Sequence, residues 1–220
     1  MILSFDLSFE TGSFSILKEN KVLYMESYLE KNHISIFPKK LKKAFEDIKK
    51  TFKDIKKVIV CTGPGSFTGI KIALAFAKGL KEASNIDAVG VSTLRAYAYP
   101  YFLFTPTLVL LKAPKNGVYA ACFYNSLTLL KEGFYFLEDI KNFLEKNKGL
   151  TLIGNSPFIT DLSQEFNIEN IDYLEKPLSL NAYYVADRFP LPLKANYLKD
   201  ADVNLKGLEK IKKEFGISLE

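Results

Sequence analysis

The sequence predicts an α/β fold of two similar halves, of which the second is shorter. Three strand-like segments at 2–29 precede an alternation of helices and strands, and the same three-strand pattern returns at 107–136. In addition, the β-branched run 57–62 ends at a Gly-Pro pair and precedes a long apolar helix, which is typical of a parallel βα unit. The length of 220 residues is sufficient for a proper hydrophobic core.

The first half is predicted to contain five strands and three helices. Its first strand is apolar almost throughout, as expected for a strand at the centre of a sheet. The first helix is predicted because apolar residues recur there at helical spacing, with lysines covering the other side. The predicted strands are 2–9, 12–18, 21–29, 57–62 and 87–91, and the predicted helices are 38–52, 68–84 and 92–99.

The second half is predicted to repeat this order in a shortened form. Pro100 and Pro106 indicate a subdomain boundary. The chain is therefore divided into subdomains 1–101 and 102–202, and a Lys/Glu-rich helix at 205–215 is expected to join the first of them. The predicted strands of the second half are 107–112, 117–124, 127–136 and 150–154, and its helices are 138–147, 157–165 and 180–189.

Composition and charge predict a soluble protein of the cytoplasm. No run of about eighteen apolar residues is present and no basic region precedes the apolar N-terminus, so we expect neither a membrane span nor a signal peptide. Cys61 and Cys122 fall in predicted strands, where buried reduced thiols are expected rather than a disulfide. The net charge of +5 comes nearly all from lysine; it permits contact with nucleic-acid phosphates, but solvated surface lysines are the default interpretation.

The most informative segment is the glycine-rich turn between the fourth strand and the second long helix. Its glycines leave backbone N–H groups near the positive end of the helix dipole, and Ser66 or Thr68 is placed to cap the helix. Two interpretations stay open, a phosphate cradle and a tight turn that lets the helix pack closely on the sheet. The spacing matches no P-loop, because three residues separate Gly65 from Gly69 and Ile70 follows where lysine is required. The candidate residues of this turn are Gly63, Gly65, Ser66, Thr68 and Gly69.

This turn closely resembles the signature of the TsaB (YeaZ) family, which begins GPGSFTG and continues into a helix containing Ala-Lys-Gly-Leu. The matching residues here are 63–72 and 77–80. Weaker similarity to the family extends in order along most of the chain, at 2–8, His33, 90–94 and 197–199.

The resemblance implies an ASKHA fold, the fold of actin, Hsp70 and sugar kinases. The repeated order of three antiparallel strands, helix, strand, helix and strand suggests the same fold by analogy. The resemblance also implies a protein without catalytic residues that supports formation of N6-threonylcarbamoyladenosine (t6A) in tRNA, by binding and stabilising TsaD, the transferase. A TsaE-like ATPase would be a further partner, the chain alone would form a homodimer, and tRNA would be contacted through the complex.

Neither a cofactor nor a bound metal is expected. Asp6 and Ser8 resemble the first phosphate loop of ASKHA proteins, where the acid holds hydrated magnesium; a polar pair at a strand end is the alternative. TsaB relatives carry acids at the positions of Lys112 and Gly117, so an ATP–magnesium site would lack a ligand here. His33 is the sole histidine, and its place before a helix is typical of a surface or capping residue.

A partner interface is predicted on the two long N-terminal helices. Between residues 70 and 80 only Lys71 and Lys78 are charged, which is a narrow polar face for the surface helix of a lone domain. Burial inside the protomer is the alternative explanation. The resemblance implies the same surface, because TsaB proteins pair through these helices with themselves or with TsaD. The predicted interface residues are Leu41, Phe45, Ile48, Ile72, Ala73, Phe76 and Ala77.

Two other functions stay open at this point. The first is an active ATP-dependent kinase or carbamoyltransferase with the ASKHA fold, in which Asp6 and the glycine turn would hold nucleotide. The absence of an acid at Lys112 argues against it. The second is a stand-alone homodimer that binds cell-wall or regulatory partners through the same pair of helices.

Overall fold

The computed structural model of the chain describes residues 1–30, 32–168, 170–171 and 177–198. The strands are β1 Ile2–Asp6, β2 Thr11–Lys18, β3 Lys21–Leu29, β4 Lys57–Cys61, β5 Asp87–Val91, β6 Thr107–Lys112, β7 Gly117–Tyr124, β8 Leu127–Phe136, β9 Thr151–Gly154 and β10 Asn170–Ile171. The helices are α1 His33–Asp47, α2 Phe67–Ser84, α3 Thr93–Ala98, α4 Leu137–Lys146, α5 Ile159–Phe166 and α6 Leu178–Ala186, with a 3₁₀ turn at Phe52–Asp54. The predicted helix 205–215 lies outside the described residues.

The two halves have the same sheet topology. The first sheet has the order β3-β2-β1-β4-β5 and the second the order β8-β7-β6-β9-β10. In each sheet the first three strands of the chain are antiparallel and the last two are added in parallel. The α/β prediction of two similar halves is therefore confirmed. Strand β10, which the sequence pattern did not predict, has only two residues, so the second sheet is the smaller one.

The helices and sheets stack in five layers. Helices α1 and α2 pack on the outer face of the first sheet, and α4 and α5 pack on the outer face of the second. Helices α3 and α6 lie between the sheets, where apolar side chains from both halves meet. Such layers follow from the pattern of near-continuously apolar central strands, since β1 and β6 must be covered on both faces.

Helix α6 follows the second half in the chain but packs against the first sheet. Ser179 at its first turn is fully buried and bonds to three serines of β1 and β2. Its carbonyl oxygen accepts from Ser4 Oγ at 2.6 Å, its N–H donates to Ser13 Oγ at 3.0 Å, and its hydroxyl lies 2.9 Å from Ser15 Oγ. The predicted subdomain 102–202 must be corrected accordingly, because it includes a helix that completes the core of the first half.

Helix α1 lies five residues earlier in the chain than the predicted helix 38–52. Asn32 caps its first turn, with its side-chain oxygen accepting from the Ser35 N–H at 3.4 Å. At the other end Lys49 adopts a left-handed conformation (φ 53°), and the Lys50 N–H donates back to the Phe45 carbonyl at 2.9 Å. This arrangement is a Schellman motif, which ends the helix at Asp47. In the described part of the chain, every helix is too short or too polar to cross a lipid bilayer.

Candidate functional site

The glycine turn is packed tightly against the loop that follows β1. A Cβ atom at Gly69 would overlap the carbonyl oxygen of Leu7, and one at Gly65 would lie 2.5 Å from the carbonyl oxygen of Ser8. The N–H of Ser66 donates to that same Ser8 oxygen at 2.6 Å. Close backbone approach therefore explains these glycines, as in the tight-turn interpretation, and the anion cradle stays a prediction.

Ser66, and not Thr68, caps helix α2. Its hydroxyl oxygen accepts from the Gly69 N–H at 3.3 Å, which satisfies one of the free donors of the first turn. Gly63 has a φ of 111° and precedes Pro64 through a cis peptide bond. A Cβ atom at Gly63 would lie 2.9 Å from the Asn196 carbonyl oxygen. Residues 189–198, which we call the C-terminal segment, therefore lie against the turn.

Asp6 and Ser8 lie together but are enclosed by the protein. Asp6 is 2% exposed and Ser8 is fully buried. The Ser8 hydroxyl also lies 3.1 Å from Thr93 Oγ1, at the start of α3. Burial raises the pKa of the Asp6 carboxyl above its ordinary value, and hydrogen bonds from Ser8 partly oppose this shift. This environment favours a structural polar pair, because a magnesium ligand must be accessible and ionised.

Both cysteines are buried free thiols, as predicted. Cys61 contacts the Asp6 carboxyl, and burial raises its pKa well above the ordinary value. Burial likewise raises the pKa of Cys122 to about 12. Neither thiol is suited to nucleophilic chemistry, which requires the thiolate. Among the described residues, His, Cys, Asp and Glu side chains form no group of three that could hold a metal ion.

His33 is the first residue of α1 and is only 5% exposed, so the expectation of a surface residue is wrong. Its Nε2 donates to the Phe9 carbonyl oxygen at 2.7 Å, and its Nδ1 lies 3.4 Å from the Tyr28 hydroxyl. The imidazole therefore joins the start of α1 to the loop after β1. A small cavity of about 240 Å³ lies beside it, against Thr68 of α2.

An apolar groove of about 580 Å³ lies between α1 and α2. On the α1 side it is lined by Ile34, which is 67% exposed, and by Pro38. On the α2 side, Ala75 and Gly79 are exposed one helical turn apart. The remaining lining residues are Phe37, Lys71, Ile72, Phe76 and Leu80. We call this feature the α1–α2 groove.

The predicted interface residues divide between this groove and the core. Ile72 and Phe76 line the groove, whereas Ile48 is partly buried beside the core. The other four are at most 3% exposed and cover the first sheet, so their placement on a partner surface is corrected to burial within the protomer; they are Leu41, Phe45, Ala73 and Ala77.

Sequence reasoning missed the exposed half of the groove. Ile34 and Pro38 are paired at i, i+4 spacing on α1, which a helix beginning at His33 would have revealed. Ala75 and Gly79 have the same spacing on α2, whose extent was predicted. The prediction instead began α1 at Pro38, because it rested on the apolar spacing of the later residues.

A second polar cluster, also missed, lies between the halves. The Arg95 guanidinium group stands 4.1 Å from the ring centroids of both Phe123 and Phe189. Burial raises the pKa of the nearby Glu132 carboxyl, which accepts from Asn196 Nδ2 at 3.1 Å. These contacts join α3 and β8 to the C-terminal segment and so connect the two halves.

Comparison with known proteins gives consistent results. The family model described as "TsaD: tRNA N6-adenosine threonylcarbamoyltransferase" matches residues 27–134. The "tRNA threonylcarbamoyladenosine biosynthesis protein TsaB" of Buchnera aphidicola subsp. Baizongia pistaciae is 25% identical over 195 residues, which cover 86% of this chain and 77% of the relative. Other curated relatives, from further Buchnera aphidicola strains and from Bacillus subtilis, bear the same name.

Solved structures agree on the fold. YeaZ from Pseudomonas aeruginosa matches with a TM-score of 0.68 at 16% identity, covering 90% of this chain and 99% of that one. The inorganic polyphosphate/ATP-glucomannokinase of Arthrobacter sp. strain KM matches with a TM-score of 0.50 at 7% identity, covering 85% and 98%. At these identities the likeness concerns the fold alone, and it confirms the predicted ASKHA fold.

Proposed function

We propose that this chain, which is similar to curated TsaB proteins, supports t6A formation in tRNA as a non-catalytic partner of a TsaD-like protein. The α1–α2 groove is the observation that carries the proposal. It is open to solvent, it is apolar, and it lies on two rigid helices that the first sheet supports. Exposed apolar surfaces of this kind mark interaction sites.

The lining of the groove favours a protein partner over a small molecule. Small-molecule sites combine apolar walls with several convergent polar groups that fix the ligand. Here Lys71 supplies the one charged side chain among the lining residues, and its ammonium group already lies 4.0 Å from the Phe67 ring centroid. Helix packing needs no such polar groups, and the exposed Gly79 allows another helix to approach closely.

The enclosed Asp6 carboxyl supports a role without catalysis. An active kinase or carbamoyltransferase of this fold needs an accessible acid for magnesium, and the corresponding part of the second half offers Lys112. A TsaB-like chain would then act by binding one conformation of its partner more tightly. Such binding shifts the partner towards the conformation that is bound more tightly, by an amount that the difference between the two affinities sets.

The proposal extends to the other partners. A TsaE-like ATPase would join the complex, and tRNA would be contacted through it. In the absence of the TsaD-like protein, the same groove would hold a second copy of this chain as a homodimer. The site of action would be the cytoplasm.

Light scattering coupled to size-exclusion chromatography tests the proposal, with the chain alone and mixed with a TsaD-like protein from the same organism. Ala75→Glu places a charge in the groove at an exposed position, so folding is preserved. Phe104→Glu, at a side chain that is 82% exposed and lies outside the groove, is the matched control.

We expect a heterodimer with the wild type and the control, and its loss with Ala75→Glu. The proposal is overturned if no heterodimer forms at micromolar concentrations, or if Ala75→Glu binds as well as the control. Binding of ATP by a monomer, seen as a thermal shift, would support the enzyme alternative instead.

A further inference from the structure

Positive charge is concentrated in one short segment of the chain. Residues 39–57 contain nine lysines and three acids, whereas the net charge of all 220 residues is +5. The rest of the protein is therefore close to neutral. Seven of the nine lysines are exposed, and we call them the lysine face; they are Lys39, Lys42, Lys43, Lys49, Lys50, Lys53 and Lys56.

The lysine face begins on the outer side of α1. Lys39 and Lys43 are one turn apart, on the opposite side of the helix from the core residues Leu41 and Phe45. The segment continues through the turn after α1, where Lys49 and Lys50 follow the last helical residue. The face adjoins the α1–α2 groove but does not line it, since the sole lysine of the groove is Lys71.

Most of these lysines have no partner within the described part of the chain. There, Lys42 forms the single ion pair of the face, with Glu46 at 3.8 Å, and both side chains of that pair are more than half exposed. By contrast, the two less exposed lysines of the segment are paired. Lys40 contacts Glu26, and Lys57 contacts Asp187.

The lysines of α1 are only partly compensated by acids of the same helix. Its first turn contains no acidic residue, although an acid there would complement the helix dipole. Lys39 and Lys43 are like charges at i, i+4 spacing, which destabilises a helix. Nine lysines against three acids leave an excess of positive charge on this segment, which an external anion would balance.

We infer that the lysine face binds the phosphate backbone of a folded RNA. This inference rests on the proposed function, which brings tRNA to the complex. Phosphate contacts by lysine release counterions and need no base recognition, so an irregular cluster of flexible ammonium groups is sufficient.

RNA fits this face better than an anionic membrane. Helices that lie on membranes insert apolar side chains between their basic residues. The large apolar residues of α1 are directed elsewhere: Phe37, Leu41 and Phe45 pack on the first sheet and Ile34 lines the groove. The outer side of α1 offers lysines and Glu46. Phe52, between the later lysines of the face, is 37% exposed, but its ring packs on Phe45 with ring centroids 4.7 Å apart.

Binding of an unmodified, folded tRNA transcript to the isolated chain tests the inference, with fluorescence anisotropy measured over a series of salt concentrations. The test variant replaces Lys39, Lys42, Lys43 and Lys50 with glutamine. The control variant makes the same replacement at four exposed lysines elsewhere, which are Lys21, Lys81, Lys131 and Lys146. Both variants lose the same net charge.

We expect the test variant to bind about tenfold more weakly at physiological salt, while the control stays within about twofold of the wild type. The slope of log K against log salt should fall in magnitude by about 0.9 for each phosphate contact removed. Thermal stability of the test variant should change little, because loss of the Lys42–Glu46 ion pair offsets removal of the like-charge pair Lys39 and Lys43.

The inference is overturned if both variants weaken binding equally, or if the wild type binds phosphatidylserine vesicles with the same dependence on these lysines. If tRNA binds only after the TsaD-like protein is added, the same two variants are compared in that complex, with the same two outcomes. Absence of tRNA binding both to the isolated chain and to the complex also overturns it. Binding measured with the isolated chain does not depend on the heterodimer, so that result can be interpreted even if no heterodimer forms in the earlier experiment.

Discussion

The Ser8 hydroxyl donates a hydrogen bond of 2.5 Å to the Asp6 carboxylate oxygen Oδ1. The Ser8 N–H donates a second one, of 3.1 Å, to the same atom. Both residues are buried, where a carboxyl group without hydrogen bonds would be energetically costly. The two bonds from Ser8 reduce that cost at the end of the central strand β1. It has consequences for stability that can be measured.

Asp6→Asn should remove a dependence of stability on pH. The pKa of Asp6 is raised above its ordinary value of 3.8 in the folded protein, mainly by burial. The folded state therefore holds a proton that the unfolded chain releases. The free energy of unfolding of the wild type should fall by up to about 1.4 kcal/mol per pH unit as pH rises from 3.8 to the folded-state pKa.

Asparagine keeps an oxygen that accepts both Ser8 hydrogen bonds and does not ionise. Urea unfolding of both proteins between about pH 4 and about pH 8 measures the effect. The stability of the wild type relative to Asp6→Asn should decline through the lower part of this range and then become constant. A difference that stays the same or increases with pH would contradict the burial of this carboxyl.

Gly69→Ala should destabilise the protein, because the new methyl group would overlap the Leu7 carbonyl oxygen. We expect a loss of about 1–3 kcal/mol in the free energy of unfolding. Gly79→Ala, on the same helix, is the matched control. Its methyl group would point into open space, so this variant should gain about 0.5–1 kcal/mol from helix propensity. Equal effects at both sites would show that the glycine turn is not tightly packed.

Lys49→Gly should stabilise the protein by about 0.5–1 kcal/mol, because Lys49 is held at a φ of 53° that glycine adopts without steric cost. Lys50→Gly removes the same charge one residue later and outside the left-handed region, so it should be neutral or destabilising. Thermal unfolding monitored by circular dichroism distinguishes the two. A stabilisation by Lys50→Gly instead would place the end of α1 at another residue.

Phe76→Ala should destabilise the isolated chain. This measurement distinguishes a role of the Phe76 ring in folding from a role in binding a partner at the groove. Its ring centroid lies 5.0 Å from that of Phe37 and 5.8 Å from that of Phe5. Since the ring is half-buried, we expect a loss of about 2 kcal/mol. Phe104→Ala, at an exposed ring, should change the free energy of unfolding by less than about 0.5 kcal/mol. A neutral Phe76→Ala would place that ring in the groove alone.

The order of strands and helices could be predicted because each rests on local signals. The apolar run of β4, the glycines of the turn and the Ser66 cap are neighbours in the chain, and together they place the start of α2 to within one residue. The ends of α1 were mistaken because apolar spacing continues past its last residue. Phe52 packs on Phe45, with ring centroids 4.7 Å apart, although the helix has already ended.

The candidate site was predicted less well, because periodicity cannot tell which apolar face of a helix meets its own sheet. Ala73 and Ile72 are adjacent in α2, yet Ala73 is fully buried whereas Ile72 lines the groove. Nor could the pattern show where α6 packs. An apolar helix near residue 180 could pack on either sheet. In the structure it packs on the first sheet, where three serines form hydrogen bonds with Ser179.

The bond between Ser4 and Ser179 spans 175 residues, and it has a consequence for synthesis on the ribosome. All five strands of the first sheet have been translated by Val91, but α6, which covers its inner face, begins only at Leu178. At usual rates of elongation, this apolar face stays uncovered for several seconds until α6 has been synthesised. The nascent N-terminal half is thus an obvious client for chaperones, and messenger truncations that stop before α6 should yield aggregates.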